Sequence, residues 1–238
     1  LQARSFCFPT ATVVSRNHGG SWSTKCKLCK AAVDTFAHRF MSCSELHGAQ
    51  QTMHDDIASA LVTSTADVLS RQGHVPPRVE KHLARQVDFL WPDCPSDLWD
   101  FVPDGVIITH AYPTSGAPSS VVILEFARSY TIEHDEMVTA GAAKRNQYHH
   151  LERFLRARYP DHDVSCQSYI LSVLGVYPQE KWVENCRALR FTASQTTQLQ
   201  IAGVRACVMA GHALNNTARS RFEALRMGGP GIPRTGIG

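Results

Sequence analysis

The sequence predicts an α/β fold in which a mixed β-sheet is flanked by helices. Two short apolar runs rich in β-branched residues, Gly105 to Ile108 and Val121 to Arg128, are bounded by turn residues and are typical of strands. A helix-period segment follows the second run, and a third strand is predicted from Val164 to Tyr177. The order hairpin, helix, strand favours antiparallel and parallel pairing within one sheet.

The predicted hairpin places two carboxylates opposite each other. The loop His110 to Ser120 suits a long hairpin connection. If the hairpin is symmetric about Thr114 and Ser115, Asp104 and Glu125 are equidistant from its tip and face each other across the two strands. Taken singly, Asp104 can be a turn residue at the strand entry and Glu125 a solvated edge residue.

One lysine of the following helix is predicted to face the sheet. At 100° per residue a narrow stripe joins Met137, Gly141, Lys144, Tyr148, Leu151 and Leu155. An inward lysine must either extend to solvent or meet an anion, because an unpaired buried ammonium is costly. The carboxylate pair on the neighbouring strands is such an anion.

Two carboxylates with an ammonium are suited to phosphodiester hydrolysis. The carboxylates can hold divalent cations that generate hydroxide and stabilise the leaving oxygen, and the lysine can orient water or neutralise the pentacovalent phosphate. Hard oxygen ligands select Mg²⁺ or Mn²⁺ at Asp104 and Glu125.

A C-x2-C-x8-H-x4-C pattern near the N-terminus predicts a structural zinc site. Its four ligands are Cys26, Cys29, His38 and Cys43. All four positions are filled by protein, so no position remains for substrate. Cys7 and His47 are the alternative ligands, and ordinary buried cysteines beside a surface histidine are the alternative interpretation.

The remaining chain is predicted to be mostly helical. Helices are expected at residues 52 to 72, with His54 near the start, at Arg78 to Leu90, and at 181 to 190 and 197 to 226. The glycine-rich end, 227 to 238, is expected to be flexible.

Composition sets limits on the class of protein. The 238 residues are 43% hydrophobic, enough for a sizeable core, and no apolar run approaches the length of a membrane span. The formal net charge of +3 is too small to prove nucleic-acid binding by itself. Because the chain begins at Leu1, we expect a fragment or a processed form.

These motifs resemble the PD-(D/E)xK restriction-like nucleases. They are more closely similar to the C-terminal endonuclease region of site-specific non-LTR retrotransposon proteins, which carry a Cys-Cys-His-Cys zinc knuckle before the nuclease core. The matching positions are the four knuckle ligands, His54-Asp55, Asp104, Glu125, Lys144 to Tyr148, and Tyr169 to Gly175. The chain departs from the restriction-enzyme core at Ala127, where a lysine is expected, so the resemblance assigns that role to Lys144.

The resemblance implies a domain order and a set of roles. It implies a zinc-knuckle region at 1 to 50, a helical connector at 51 to 99, a restriction-endonuclease-like domain at 100 to 226, and a tail. Its catalytic residues are Asp104, Glu125, Lys144 and Tyr148. Apart from the resemblance, Arg128 and Arg145 are weaker candidates for phosphate contact, with a solvated role as the alternative.

The same resemblance implies the ligands and the setting of the protein. We expect structural Zn²⁺, catalytic Mg²⁺ or Mn²⁺, DNA or structured RNA as the partner, and no membrane. Membership of a larger polyprotein or ribonucleoprotein assembly is expected, in the nucleus or in an organelle. The alternative is an inactive, domesticated nuclease fold that binds nucleic acid or acts as a scaffold.

Overall fold

A computed structural model describes residues 24–73, 75–114, 118–129, 133–172 and 175–227. The chain divides into two compact units. The sheet unit contains His54–Val208, and the cysteine unit contains the described parts of Ala3–Met53 and Met209–Gly238. The α-helices of the described residues are α1 (Phe36–Met41), α2 (His47–Leu69), α3 (Val87–Leu90), α4 (His134–Gln147), α5 (His149–Arg158), α6 (Gln179–Ala188) and α7 (Ala193–Arg226).

The sheet unit is built on four strands. They are β1 (Arg78–Leu83), β2 (Gly105–His110), β3 (Ser120–Ser129) and β4 (Asp163–Ser172), in the spatial order β1-β2-β3-β4. The β1–β2 and β2–β3 pairs are antiparallel, whereas β3 and β4 are parallel. The prediction of a mixed sheet flanked by helices is therefore confirmed.

The register of the β2–β3 hairpin agrees with the symmetric prediction. Gly105 lies opposite Leu124, and the connecting loop runs from His110 to Ser120 as expected. The next facing positions beyond that last pair are Asp104 and Glu125. The two acids therefore lie opposite each other where β2 begins.

Strand β3 is covered on both faces. Residues of both alternations, including Ile123, Leu124 and Phe126, are almost completely buried. Helix α4 packs against β3 and β4, with Met137 in the core. A carboxylate at Glu125 therefore lies in apolar surroundings and needs polar partners.

The helix that carries Lys144 is in fact two helices. Helix α4 ends at Gln147 and α5 begins at His149, with Tyr148 between them at φ −98° and ψ 12°. The predicted stripe nevertheless survives the break, because Tyr148, Leu151 and Leu155 are all buried.

Two predicted elements are wrong or misplaced. The segment Arg78 to Leu90 is not one helix: its first half is the edge strand β1, which pairs with β2, and its second half is the single turn α3. Charged residues are common on edge strands, and here they hide the strand pattern. The helix expected at 52 to 72 begins earlier, at His47.

The C-terminal half largely follows expectation. Strand β4 ends at Ser172 instead of reaching Tyr177, and the Ser172 N–H donates to the Val176 carbonyl (2.7 Å). Helices α6 and α7 confirm the two predicted C-terminal helices. Residues 228–238 of the expected flexible tail and the alternative ligand Cys7 lie outside the described residues. No helix within the described parts of the chain combines the length and apolar character that crossing a membrane requires.

Candidate active site and metal centre

The two acids at the start of β2 are tied together through the backbone. The Asp104 N–H donates to Glu125 Oε1 (3.2 Å), and the Phe126 N–H donates to Asp104 Oδ2 (2.7 Å). The two bonds extend the β2–β3 pairing beyond the first residue of β2. In both, a carboxylate oxygen accepts the hydrogen bond that a backbone carbonyl accepts in regular strand pairing. Each carboxylate thus uses one oxygen to hold the partner strand and keeps a second oxygen for other contacts.

Burial makes the ionised form of both acids costly. The Glu125 side chain is only 2% exposed, and desolvation, with the nearby charge of Asp104, raises its pKa to about 7. Desolvation also raises the pKa of Asp104, although the neighbouring His54 opposes the shift. The site can therefore be stabilised by an added cation.

Lys144 supplies one cation at the predicted place. Its Nζ lies 3.4 Å from Glu125 Oε2, with the lysine side chain 36% exposed. The prediction that Lys144 faces the carboxylates is confirmed. Because the lysine side chain is partly exposed, its ammonium can contact both Glu125 and an external anion.

Tyr148 completes the contacts around Glu125. Its hydroxyl donates to the Val102 carbonyl (3.3 Å) and also faces Glu125, whose ionised form it stabilises. Burial and the charge of Glu125 raise the pKa of Tyr148 far above its usual range. The tyrosine is thus a neutral hydrogen-bond donor at neutral pH, and it is not positioned as a base.

A histidine from α2, predicted only as part of a helix start, also reaches this site. His54 Nε2 lies 3.3 Å from the Phe126 carbonyl oxygen and 3.8 Å from Asp104 Oδ2. Helix α2 can come this close because position 105 is glycine: a Cβ there would lie 2.3 Å from a methyl group of Val62. The close approach explains why a glycine follows Asp104.

The donor set fits a hard divalent cation. Asp104 and Glu125 each retain one carboxylate oxygen that is not used on the opposite strand, and oxygen ligands are those preferred by Mg²⁺ and Mn²⁺. Burial, with the charge of Asp104, raises the pKa of Glu125, and a bound cation would oppose both effects.

The two arginine candidates lie on separate elements, and Arg128 is on the opposite face of β3 from Glu125 because side chains alternate along a strand. Arg128 follows Glu125 by three residues on β3, and burial lowers its pKa while the charge of Asp55 raises it. Arg145 is half-buried beside Lys144 on α4. Contact of either residue with phosphate stays a prediction.

The four predicted zinc ligands converge in the cysteine unit. The ligand atoms of Cys26, Cys29, His38 and Cys43 all lie within 4.8 Å of one another, so the group could hold a metal ion such as zinc. The Cys26–Cys43 sulfur separation is 3.9 Å, and Cys29 Sγ lies 3.3 Å from His38 Nε2. A zinc tetrahedron with ordinary bond lengths has edges of about 3.8 Å between sulfurs and about 3.6 Å between sulfur and nitrogen.

The turn after Cys26 and helix α1 bring the four ligand atoms together. The knuckle after Cys26 closes with the Lys30 N–H donating to the Cys26 carbonyl (2.8 Å), and Lys30 adopts φ 60°. Helix α1 presents His38, whose Nδ1 lies 3.3 Å from Ser42 Oγ. Such a contact at the second ring nitrogen fixes the orientation of a metal-binding imidazole.

A buried ion pair lies next to the cluster in sequence, because Arg39 follows His38 on α1. Arg39 makes two 2.7 Å hydrogen bonds to Asp34, and its guanidinium lies 4.9 Å from the centroid of the Phe222 ring. Gln50 donates to the Arg39 carbonyl (2.8 Å).

Burial and the charge of Cys26 raise the pKa of Cys43 to about 12, so a thiolate there needs a nearby cation.

Comparisons with known proteins do not identify a family. No protein-family model matches the chain, and no curated protein matches its sequence.

Proposed function

We propose that this chain is a metal-dependent endonuclease module that nicks DNA, of the restriction-like type found in non-LTR retrotransposon proteins. The observation that carries the proposal is the meeting of Asp104, Glu125 and Lys144 at one half-open point of the sheet unit. A purely structural role for these residues would not require two carboxylates where desolvation opposes their charge.

Each residue has a separate part in the proposed reaction. Asp104 and Glu125 would hold Mg²⁺ or Mn²⁺, and the bound cation would supply an activated water and stabilise the leaving oxygen. Lys144 offers its exposed ammonium to a non-bridging phosphate oxygen, whose negative charge increases in the transition state. The buried Tyr148 hydroxyl, which donates to the Val102 carbonyl, faces Glu125 and would support the carboxylate as a neutral polar group.

The Cys/His group contributes structure to this proposal. With Zn²⁺ bound, it would fix the knuckle and α1 as a rigid element that contacts the nucleic acid. DNA as the substrate implies work in the nucleus, and structured RNA is the second candidate ligand. Arg128 and Arg145 are the proposed phosphate contacts.

The test is a nicking assay on supercoiled plasmid with Mg²⁺, run beside a structured RNA. Asp104→Asn keeps an oxygen to accept from the Phe126 N–H but removes the carboxylate charge, so we expect nicking to fall at least about 100-fold. Asp97→Asn, at a 65% exposed carboxylate, is the matched control and should nick like the unaltered protein. Zinc content and circular dichroism should be the same in all three proteins.

Two results would count against cleavage. Equal nicking by the unaltered protein and Asp104→Asn would show that the activity comes from elsewhere. Binding of DNA in a gel-shift assay, without any Mg²⁺-dependent or Mn²⁺-dependent nicking, would instead support the inactive, nucleic-acid-binding alternative.

A further inference from the structure

The peptide of Phe126 lies between two polar side chains. Its N–H donates to Asp104 Oδ2 (2.7 Å), and its carbonyl oxygen lies 3.3 Å from His54 Nε2. Because a carbonyl oxygen only accepts hydrogen bonds, the histidine nitrogen must be the donor. One backbone unit of β3 is therefore held from α2 through its C=O and in turn holds Asp104 through its N–H.

This arrangement fills a gap in the sheet. The pairing of β2 with β3 ends at Gly105, which lies opposite Leu124. Phe126, two residues further along β3, therefore has no partner residue in β2. Backbone groups of a buried strand need partners, and Phe126 is 2% exposed. Asp104 and His54 take the places of the missing strand partner.

We propose that His54 is a positioning residue that holds Asp104 in the orientation required for binding the divalent cation. The proposal rests on the nuclease function proposed above. His54 contacts Asp104 in two ways, through the shared Phe126 peptide and directly at 3.8 Å from Asp104 Oδ2.

The histidine is itself held in one orientation. Its ring lies 5.2 Å from the Phe126 ring, centroid to centroid, and its Nδ1 lies 3.2 Å from Asp55 Oδ1. The side chain is 21% exposed, so most of its surface is covered by protein. The Nε2 donor toward the Phe126 carbonyl is the contact through which the ring position can be transmitted to Asp104.

The two ring nitrogens of His54 contact different groups. Nε2 faces Phe126 and Asp104, whereas Nδ1 faces Asp55. A glutamine amide nitrogen can occupy the place of Nε2, and an asparagine amide nitrogen reaches only the place of Nδ1. His54→Gln and His54→Asn are therefore matched variants of the same chemical type, and only the first keeps the donor toward Phe126.

The experiment measures Mn²⁺ binding to the zinc-loaded protein by electron paramagnetic resonance, with nicking measured in parallel. Loss of a group that orients a ligand typically weakens metal binding 10- to 100-fold, so we expect the Mn²⁺ dissociation constant of His54→Asn to rise at least about tenfold. His54→Gln should stay within about threefold of the unaltered protein by the same reasoning. His150→Gln, at an exposed histidine of α5, should leave binding unchanged.

The nicking data give a second readout. We expect His54→Asn to need a higher Mg²⁺ concentration for half-maximal nicking and to approach the unaltered rate at saturating Mg²⁺. A merely structural histidine would lower the melting temperature of both amide variants and leave the Mn²⁺ affinity of the folded protein unchanged, which would overturn the proposal.

Binding and activity separate this proposal from the proposed function. A protein that binds Mn²⁺ through Asp104 but does not nick refutes the nuclease function and still tests His54. Equal Mn²⁺ affinity in His54→Gln and His54→Asn refutes the role of His54 even if nicking is normal. If Asp104→Asn binds Mn²⁺ as the unaltered protein does, or if neither protein binds it, both proposals are refuted.

Discussion

Replacing Glu125 with glutamine should change how the stability of the sheet unit depends on pH. Glutamine keeps an oxygen that can accept from the Asp104 N–H, so the backbone contact survives. The substitution removes a carboxylate that is 2% exposed and whose pKa is raised from 4.5 to about 7 by desolvation and by Asp104. Lys144 loses its partner but can move to solvent, because it is 36% exposed.

The direction follows from proton linkage. A carboxyl group with a raised pKa in the folded state binds its proton more tightly there than in the unfolded chain. The resulting stability is fully present below the unfolded pKa near 4.5 and is lost as pH rises through about 7. The shift corresponds to about 3 kcal/mol in total, of which about 2.5 kcal/mol is lost between pH 5 and pH 8.

The measurement is urea unfolding followed by tryptophan fluorescence, at several pH values and without added magnesium. Trp91, Trp99 and Trp182 all belong to the sheet unit and report on its unfolding. Between pH 5 and pH 8 the unaltered protein should lose about 2.5 kcal/mol more than Glu125→Gln does. Glu136→Gln, at an exposed carboxylate of α4, should follow the unaltered protein.

Added magnesium sharpens this test. At pH 8 the cation should restore stability to the unaltered protein and have little effect on Glu125→Gln, since a ligand that binds only the folded state stabilises it. Parallel pH profiles for the unaltered protein and the glutamine variant would refute the claim that Glu125 is buried at a cost in its ionised form. Protonation of groups outside this site is common to both proteins and cancels in the comparison.

Three further predictions concern other parts of the molecule. Cys43→Ser should release zinc and raise hydrogen exchange in the cysteine unit, measured by mass spectrometry, while Cys94→Ser should retain the metal. Gly105→Ala should lower the free energy of unfolding by about 1–3 kcal/mol, because its Cβ would overlap Val62; unchanged urea midpoints would contradict this. Lys144→Met should destabilise the protein by about 1 kcal/mol at pH 8 and by less at pH 5, because its partner carboxylate loses charge at low pH; equal losses would contradict this.

The sequence predicts the hairpin site well because that site obeys local rules. Once the ends of a hairpin loop are known, the pairing of residues on its two antiparallel strands is determined. The loop ends predicted from the sequence placed Asp104 opposite Glu125. Helix phase likewise placed Lys144 on the face that meets the sheet. The four cysteine and histidine ligands follow from spacing alone.

The errors come from contacts between distant parts of the chain. Strand β1 carries Arg78, Glu80 and Lys81, and only its pairing with β2 makes this charged segment a strand. His54 meets the Phe126 carbonyl 72 residues away, and no local pattern in α2 indicates that contact. The break between α4 and α5 likewise depends on packing around Tyr148, since the apolar period continues through it.

The candidate site and the hairpin pairing share the same hydrogen bonds. Two carboxylates extend the β2–β3 pairing by taking the places of backbone carbonyls, so one oxygen of each acid is fixed by the fold. The same placement buries their charge and leaves Lys144 and His54 as the nearby basic groups. A structural strand end would be more stable with neutral side chains in these positions, because a buried ionised acid is costly without full compensation. A cation bound to the remaining carboxylate oxygens would offset this cost, so metal binding is the property to measure first.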